Sequence, residues 1–380
     1  MAREVPPFGV RRYSVVKGNG SKQGAAKAAG LAIANDRLSV EINPQSGAIQ
    51  SLRCKGMAGD LVDGSKGQGI NDYLYIIGRD PAQDNQRVEG PVKVTVEDAG
   101  PVVATLSIES AAPGCAKLTR KVRIFEGGDT IELINIVDKG KELRPEGVYF
   151  MYPLHVPGGI VRIDIPWAAE QPEKDQIPGA NRNFYCVQRW VDISNEEYGL
   201  TWVTVDAPML QFDPIKIAAA AVGAEQYRQT IEPGQTFYSW VMNNHWETNY
   251  AAYQEGVCTF RYVLRPHTGG YNQAETQRVG RGVCNPLLVF EADPSQPLPA
   301  SLLEVEGEGI VVTSLKPARD GQALMVRLFN AGDRKVTARL KWAKDPKKTW
   351  ISNPMEDKIS SCTKPVEMVP YQIVTLRVEP

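Results

Sequence analysis

"RKVRIFEGGDTIELINIVDK", residues 120–139, is the part of the sequence that indicates a β fold most clearly. Hydrophobic and polar residues alternate on both sides of its central glycines, as they do in a strand with one buried face. Gly127 and Gly128 can take the positive φ angles that a tight hairpin requires. The stretch therefore predicts two antiparallel strands joined by a loop at 126–130.

The same alternation recurs along most of the chain. Further strands are predicted between Gly, Pro, Asn and Asp clusters, at 37–42, 92–100, 102–110, 199–206, 237–244 and 258–266. One window, 216–227, is rich in alanine, and at most one or two short helices are expected there. Regularly spaced strands with turn signals predict an all-β fold built from sandwiches.

A segment with three prolines and no apolar periodicity, at 291–302, suggests a domain boundary. The sequence predicts a large sandwich over 31–292 and a small β domain over 300–380. A strand at 9–18 and a flexible linker occupy the predicted N-terminal segment 1–30. That strand is either the remnant of a preceding domain or a partner of the C-terminal module.

Composition excludes several classes of protein. With 380 residues, 42% hydrophobic and 23% charged, the chain can bury a full core and is not of the disordered type. A net charge of −1 gives no basic excess, so neither a nucleic-acid nor a membrane partner is expected. No apolar run is long enough to span a bilayer, and "MAREVPPFGV" lacks the layout of a signal peptide. A soluble chain is expected, and its compartment stays open.

Metal ligands are scarce. No two of the six cysteines form a CxxC pair, so free buried thiols are expected, with Cys258 and Cys284 in strand-like sequence. Only three histidines, His155, His245 and His267, offer imidazole ligands. Neither a zinc site nor another cofactor of this chain's own is predicted.

Two stretches pack aromatic and polar residues side by side. They are "NNHWETNYAAY" at 243–253 and "NRNFYCVQRW" at 181–190. Sugars stack their C–H faces on aromatic rings and bond their hydroxyls to amide, acidic and guanidinium groups. The candidate sugar-binding residues are Asn244, His245, Trp246, Glu247, Asn249, Tyr250, Arg189 and Trp190. The alternative for 243–253 is a long turn whose Asn side chains bond the backbone.

Catalytic carboxylates are not recognisable as a pair, although glycoside hydrolysis normally needs two. The acids near aromatic loops are Asp164, Glu170, Asp192 and Glu247. Each is expected to be a solvated or strand-edge charge, and Asp192 to hold Arg189 or cap a turn.

A mutarotase-like epimerase would need a histidine acid and a carboxylate base. His155 and His245 are the candidates, and Glu247 lies two residues from His245. In an extended strand that pair would point to the same side.

Several segments carry a family resemblance in their order and spacing. They are "VPPFGVRRYSVV", "NDRLSVEINPQSGAIQSL", "RKVRIFEGGDTIELINIVDK", "RWVDISNEEYGLTWVTVDAP", "WVMNNHWETNYAAYQEGVCTFRYVL", "LMVRLFNAGDRKVTARLKW" and "PYQIVTLRV". Together they resemble the β-region of glycoside hydrolase family 38, the α-mannosidases, from about residue 5 to the last residue. "NNHWETNY" and the ending are the most specific pieces.

The resemblance implies a large sandwich like that of galactose mutarotase, followed by a small β domain. In that family the catalytic aspartates and zinc ligands lie upstream, in an α/β domain and the helical segment after it. No position here matches those motifs, so no catalytic residue or metal ligand is carried over, and zinc is expected only in the catalytic domain of a parent enzyme. The chain is then either the C-terminal part of a longer glycosidase, with loops that help wall its mannose-binding cleft, or a stand-alone carbohydrate-binding relative.

Overall fold

A computed structural model describes the chain except residues 1, 3, 218–226, 246–250, 294, 298–300 and 364. The chain divides into two compact units. The larger unit holds residues 20–271, and the smaller unit joins residues 1–19 to residues 272–380.

Nineteen strands of the larger unit lie in its described residues. In chain order they are β1 (Lys27–Ala29), β2 (Ala32–Ala34), β3 (Leu38–Ile42), β4 (Ile49–Cys54), β5 (Asp72–Ile77), β6 (Asn85–Arg87), β7 (Lys93–Ala99), β8 (Val103–Ala112), β9 (Cys115–Phe125), β10 (Ile131–Lys139), β11 (Glu146–Pro153), β12 (Ile160–Ile165), β13 (Ala168–Glu170), β14 (Tyr185–Cys186), β15 (Trp190–Ser194), β16 (Tyr198–Thr204), β17 (Met209–Phe212), β18 (Thr236–Asn243) and β19 (Gly256–Thr268).

These strands form three antiparallel sheets. A nine-stranded sheet has the order β13-β12-β15-β16-β19-β10-β9-β8-β7, and a six-stranded sheet has the order β14-β17-β18-β11-β5-β6. A four-stranded sheet runs β1-β2-β3-β4. The main core lies between the sheets and is rich in aromatic side chains, such as Tyr152 stacked on Phe237 and Trp202 stacked on Tyr262.

The hairpin at 120–139 forms as its alternation predicts. Strand β9 pairs with β10 in a register that sets Ile124 opposite Ile131, and Gly127 takes a φ of 61° in the loop. Residues of β10 alternate between buried and half-buried along its whole length. One face of this hairpin therefore enters the core, and the other carries polar groups toward solvent.

The six-stranded sheet is instead buried on both faces at its centre. All eight residues of β11 are buried. Phe150 and its alternate neighbours face the main core, whereas Tyr149 and Met151 join a second cluster that we call the Trp240 cluster. That cluster consists of Leu74, Ile76, Tyr149, Met151, Tyr238 and Trp240, with partly buried hydrophobic side chains packed against it. The continuous apolar run of β11 follows from this double burial.

The smaller unit has one helix and eight strands in its described residues. They are α1 (Gln273–Cys284), β20 (Leu303–Glu306), β21 (Ile310–Pro317), β22 (Leu324–Asn330), β23 (Val336–Trp342), β24 (Lys348–Ser352), β25 (Lys358–Ser361), β26 (Val366–Met368) and β27 (Ile373–Glu379). The strands form a three-stranded sheet, β20-β23-β26, and a five-stranded sheet, β21-β22-β27-β24-β25, around a core of their own. The predicted all-β fold, a large sandwich followed by a small β domain, is confirmed.

Helix α1 was not predicted from the sequence. Its buried residues, Gln273, Thr276, Gln277 and Gly280, follow helical spacing but are polar or small, so the sequence shows no apolar stripe. The signal that was present is the cap, because the Asn272 side chain accepts a hydrogen bond from the Glu275 backbone N–H at 3.0 Å. Cys284 ends this helix, so the interpretation that placed it in strand-like sequence is wrong.

No strand forms over 9–18, where the sequence predicted one. The N-terminal segment is tied to the smaller unit by other bonds: the Phe8 carbonyl accepts from Leu302, and the Arg12 guanidinium donates to the Asp293 carbonyl at 3.0 Å. Alternation alone does not make a strand when no neighbouring ladder is available. The expected helix at 216–227 falls largely on residues outside the described ones.

The units differ in their bounds from the predicted domains. The larger unit ends at Tyr271 rather than near 292, because α1 belongs to the smaller unit. Within that unit α1 lies close to the turn before β21, where a Cβ on Gly309 would come within 2.9 Å of the Ala274 Cβ.

The predicted cysteine state is right in one respect: all six thiols are free, but five are half-buried and Cys186 is exposed.

Candidate functional site

The two aromatic and polar stretches meet on the Trp240 face of the six-stranded sheet. Phe184, from 181–190, lies edge-on to Trp240 with ring centroids 6.0 Å apart. His245, from 243–253, lies 6.3 Å from the same indole. The sheet therefore brings together segments that are more than fifty residues apart in sequence.

A glycine allows this close packing. The Trp240 ring stacks on Tyr149 at 5.7 Å and 8°. A Cβ on Gly147 would come within 2.8 Å of both the His245 Cε1 and the Tyr149 Cε2. Any larger residue at position 147 would displace the His245 imidazole or the Tyr149 phenol.

His245 is a core side chain in this structure. It is 0% exposed, and its backbone N–H donates to the Asn243 side-chain oxygen at 2.9 Å. Burial lowers the pKa of His245 to about 4, the charge of Arg79 acts in the same direction, and the Gly78 backbone opposes it. The imidazole is therefore neutral near pH 7, and it does not serve there as a charged general acid.

Asn244 bonds the backbone of its own neighbourhood. Its amide N–H₂ donates to the Arg144 carbonyl at 3.1 Å, and its backbone N–H donates to the Glu146 carbonyl at 2.8 Å. This is the turn-locking alternative considered from the sequence, at least for this residue. Four of the other candidates, Trp246, Glu247, Asn249 and Tyr250, lie outside the described residues.

Arg189 and Trp190 sit at the start of β15. Trp190 is 0% exposed and lies 6.2 Å from the Tyr271 ring, so no sugar reaches it in this conformation. Arg189 is half-buried, and its Nε and Nη1 have no hydrogen-bond partner among the described residues. A sugar contact by Arg189 stays a prediction.

Asp192 is the centre of a buried hydrogen-bond cluster. It accepts from the Ser194 hydroxyl, from the Thr201 hydroxyl at 2.6 Å and pairs with the His267 Nε2 at 3.1 Å. The sequence-based expectation that Asp192 holds Arg189 or caps a turn is therefore wrong. The serine bonds the aspartate rather than the imidazole, which is not the arrangement of a serine nucleophile and its base.

His155 lies at a cleft of about 440 Å³ in the larger unit. Its backbone N–H donates to the Leu61 carbonyl at 3.0 Å, and the Asp63 N–H donates to the Pro153 carbonyl at 2.9 Å. These bonds bring His155 and Asp63 to the same cleft, which Tyr198 also lines. The two residues lie more than ninety positions apart, so the sequence gave no sign that they line one cleft.

The surroundings of the Asp63 carboxyl group favour its ionised form. Hydrogen bonds from the Ser65 side chain and backbone hold the pKa of Asp63 below its usual range, and the charge of His155 acts in the same direction. The cleft therefore sets a carboxylate near an exposed imidazole. These are the two groups that proton transfer to and from a sugar would need.

The described residues offer neither a metal-binding group of side chains nor a helix that could span a membrane. No three or more of their His, Cys, Asp and Glu side chains are grouped so that they could hold a metal ion. None of their helices is long and apolar enough to cross a bilayer.

Known proteins resemble this chain in both sequence and fold. Residues 309–376 match the family model described as glycosyl hydrolases family 38 C-terminal beta sandwich domain. An α-mannosidase from Enterococcus faecalis V583 aligns with 96% of this chain at 14% identity and a TM-score of 0.75. The resemblance to the C-terminal β-region of glycoside hydrolase family 38 is confirmed. A second Enterococcus faecalis protein of family 38 aligns with 95% of the chain at 13% identity and a TM-score of 0.72.

One protein is similar to this chain in sequence. A putative mannosylglycerate hydrolase from Halalkalibacterium halodurans is 26% identical over 217 residues, which is 55% of this chain and 23% of that protein. The chain also spans 44% of the Enterococcus α-mannosidase and 45% of the second family 38 protein. The chain thus spans less than half of the length of each of these three proteins.

Proposed function

We propose that this chain acts as the C-terminal β-region of an α-mannosidase-like retaining glycoside hydrolase. It would contribute a cleft wall and an interdomain scaffold for the hydrolysis of a mannose-containing glycan. The match of residues 309–376 to the family 38 C-terminal sandwich is the observation that carries this proposal. In this role the catalytic aspartates and the zinc ion belong to a separate α/β domain of the same polypeptide, so the chain alone is inactive.

An exposed apolar segment of the smaller unit supports the scaffold role. Leu288 and Val289 are 87% and 97% exposed, and their neighbours Leu287 and Phe290 are also exposed. Val15, in the N-terminal segment of the same unit, is fully exposed as well. Monomeric proteins rarely leave contiguous apolar side chains in water, and such segments commonly bind another protein surface.

Activity assays test the proposal. We expect the purified 380-residue chain to release no p-nitrophenol from p-nitrophenyl α-D-mannoside, with or without added zinc. We expect the complete reading frame of the gene, expressed under the same conditions, to be a zinc-dependent mannosidase. Turnover that copurifies with the 380-residue chain, or a complete frame that encodes no α/β domain, would contradict the proposal.

The His155 cleft favours one second candidate, a mutarotase-like epimerase. Asp63 and His155 line the same cleft, as a base and an acid of that reaction must. NMR of freshly dissolved mannose or galactose would follow anomer interconversion by the wild type and by His155→Gln and Asp63→Asn. Interconversion at the background rate in the wild type would eliminate this candidate.

A further inference from the structure

Basic side chains surround a cleft of about 450 Å³ on the four-stranded sheet of the larger unit. Lys27, Arg37, Arg53 and Lys55 line it, and Asp36 is the one acidic residue of its lining. The chain as a whole carries a net charge of −1. The cleft is therefore a local concentration of positive charge on a nearly neutral protein.

The register of the sheet explains the shape of the cleft. Lys27 pairs with Ala34, Ala34 pairs with Ser39, and Ser39 pairs with Arg53, so these residues form one row across four strands. Paired residues of an antiparallel sheet point to the same face. The small side chains of Ala34 and Ser39 thus form a floor between two long cations, Lys27 and Arg53.

The walls of the cleft are held in place by the backbone. The Asn35 side-chain oxygen accepts from the N–H groups of Arg37 at 2.9 Å and Leu38 at 2.7 Å, which fixes the turn between β2 and β3. The Asn35 amide also donates to the Phe125 carbonyl at 2.8 Å. The Lys55 N–H donates to the Arg37 carbonyl at 2.8 Å. The backbones of Arg37 and Lys55 are thereby held side by side.

These cations are poorly neutralised by the protein. Arg53 lies 3.4 Å from an Asp60 carboxylate oxygen, and Arg53 itself is largely exposed. Lys27, Arg37 and Lys55 make no ion pair within the part of the chain that the structure describes. By contrast, Arg261 in the same unit is bound to Asp206 by two hydrogen bonds of 2.9 Å. Four cations thus face two carboxylates, Asp36 and Asp60, and the positive charge that remains attracts an anion.

We propose that this basic cleft binds the phosphate or carboxylate group of an acidic sugar. Two guanidinium groups, Arg37 and Arg53, can each offer a planar pair of N–H donors to an oxyanion, and the two lysines add charge. The small side chains of the floor leave room for the ring that carries the anion. The sugar part of this assignment rests on the proposed function, whereas the anion part rests on the cleft alone.

Calorimetric titration tests the site with mannose 6-phosphate, mannose and inorganic phosphate as probes. We expect mannose 6-phosphate to bind at low salt, to bind more weakly as salt is raised, and to bind more tightly than either other probe. The double variant Arg37→Gln/Lys55→Gln should weaken binding by about tenfold or more, since it removes two charge-assisted partners. The matched control, Lys22→Gln/Lys174→Gln, removes two exposed charges outside the cleft and should leave the affinity unchanged.

The titrations can overturn each part separately. Equal binding by the wild type and the Arg37/Lys55 variant, or no binding of mannose 6-phosphate at low salt, overturns the site. Equal affinity for inorganic phosphate and mannose 6-phosphate overturns the acidic sugar as its ligand. If the variant fails to fold by circular dichroism, the salt dependence of the wild type decides instead, because a charge-driven site must weaken with salt. None of these readouts involves glycoside hydrolysis, so the proposed function stands or falls independently.

Discussion

At position 47, the local surroundings determine which amino acid the fold can accept. Gly47 lies in the loop between β3 and β4 with a φ of 71°. A Cβ there would come within 2.2 Å of the Arg120 Nη2, and Arg120 is 0% exposed. The loop glycine is therefore required twice, by its backbone conformation and by a guanidinium buried in the core.

We expect Gly47→Ala to lower the free energy of unfolding by roughly 2–4 kcal/mol, because the strained φ adds to the clash with a buried side chain. Gly67→Ala is the matched control, since Gly67 has a φ of 70° and a Cβ added there would have nothing within 4 Å. The control should cost only about 1 kcal/mol. Urea unfolding measures the free energy of unfolding of both variants. Equal losses would contradict the expected clash, because they would mean that the Arg120 side chain moves aside at no cost.

His245 predicts a pH dependence of stability. Its folded pKa of about 4 lies below the usual value of 6.5, so between these values the unfolded chain binds more protons than the folded one. Stability is therefore full above pH 6.5 and is lost as the pH falls toward 4. From pH 7 to pH 5 this single group should cost about 2 kcal/mol.

The difference between the wild type and His245→Gln isolates that effect. The variant should lose less stability than the wild type over this range, as measured by urea unfolding at pH 7 and pH 5. Parallel pH profiles for the wild type and His245→Gln would contradict the burial of a neutral imidazole.

Elements were predictable where one face of a strand is buried and the other is wet. The β9–β10 hairpin has this property, and its bounds follow from alternation and two glycines. After Glu146, strand β11 shows only a run of largely apolar residues, because alternation disappears when both faces are buried. Helix α1 was missed because its buried face is polar, although its cap was visible in the sequence.

The cap of α1 can be tested by substitution. Asn272→Ala removes the acceptor of the Glu275 N–H and should destabilise the smaller unit by about 1 kcal/mol. Asn272→Asp keeps an acceptor at the same position and should be nearly neutral. Chemical denaturation followed by circular dichroism compares them, and an equal loss in both variants would mean that the Asn272 side chain does not act as a cap.

The whole molecule combines two separately cored units with an unusually apolar exposed segment. The cores are distinct sets of residues, one between the sheets of the larger unit and one in the smaller sandwich. The segment around Leu288 and Val289 enters neither core. A surface of this kind is expected to associate when its natural partner is absent.

Sedimentation at rising concentration checks this expectation. We expect the 380-residue chain to self-associate, and Leu288→Asp/Val289→Asp to reduce that association. Leu143→Asp/Ile177→Asp, which changes two exposed hydrophobic side chains of the larger unit, should have little effect. Monomeric behaviour of the wild type at all concentrations would contradict an interaction role for the segment.

The all-β class, the β9–β10 hairpin and the family 38 resemblance could be predicted from the amino-acid sequence alone. Each of these depends on local periodicity, turn chemistry or the order of segments along the chain. The tertiary structure was needed to show that His245 and Trp190 are buried and that His155 and Asp63 line one cleft. It was also needed to show that Asp192 bonds Ser194, Thr201 and His267. Only the strand register decided that Lys27 and Arg53 face each other across a small-residue floor. In each case the exposure and the partners of a side chain depend on which distant strands become neighbours, and a local sequence pattern does not determine that.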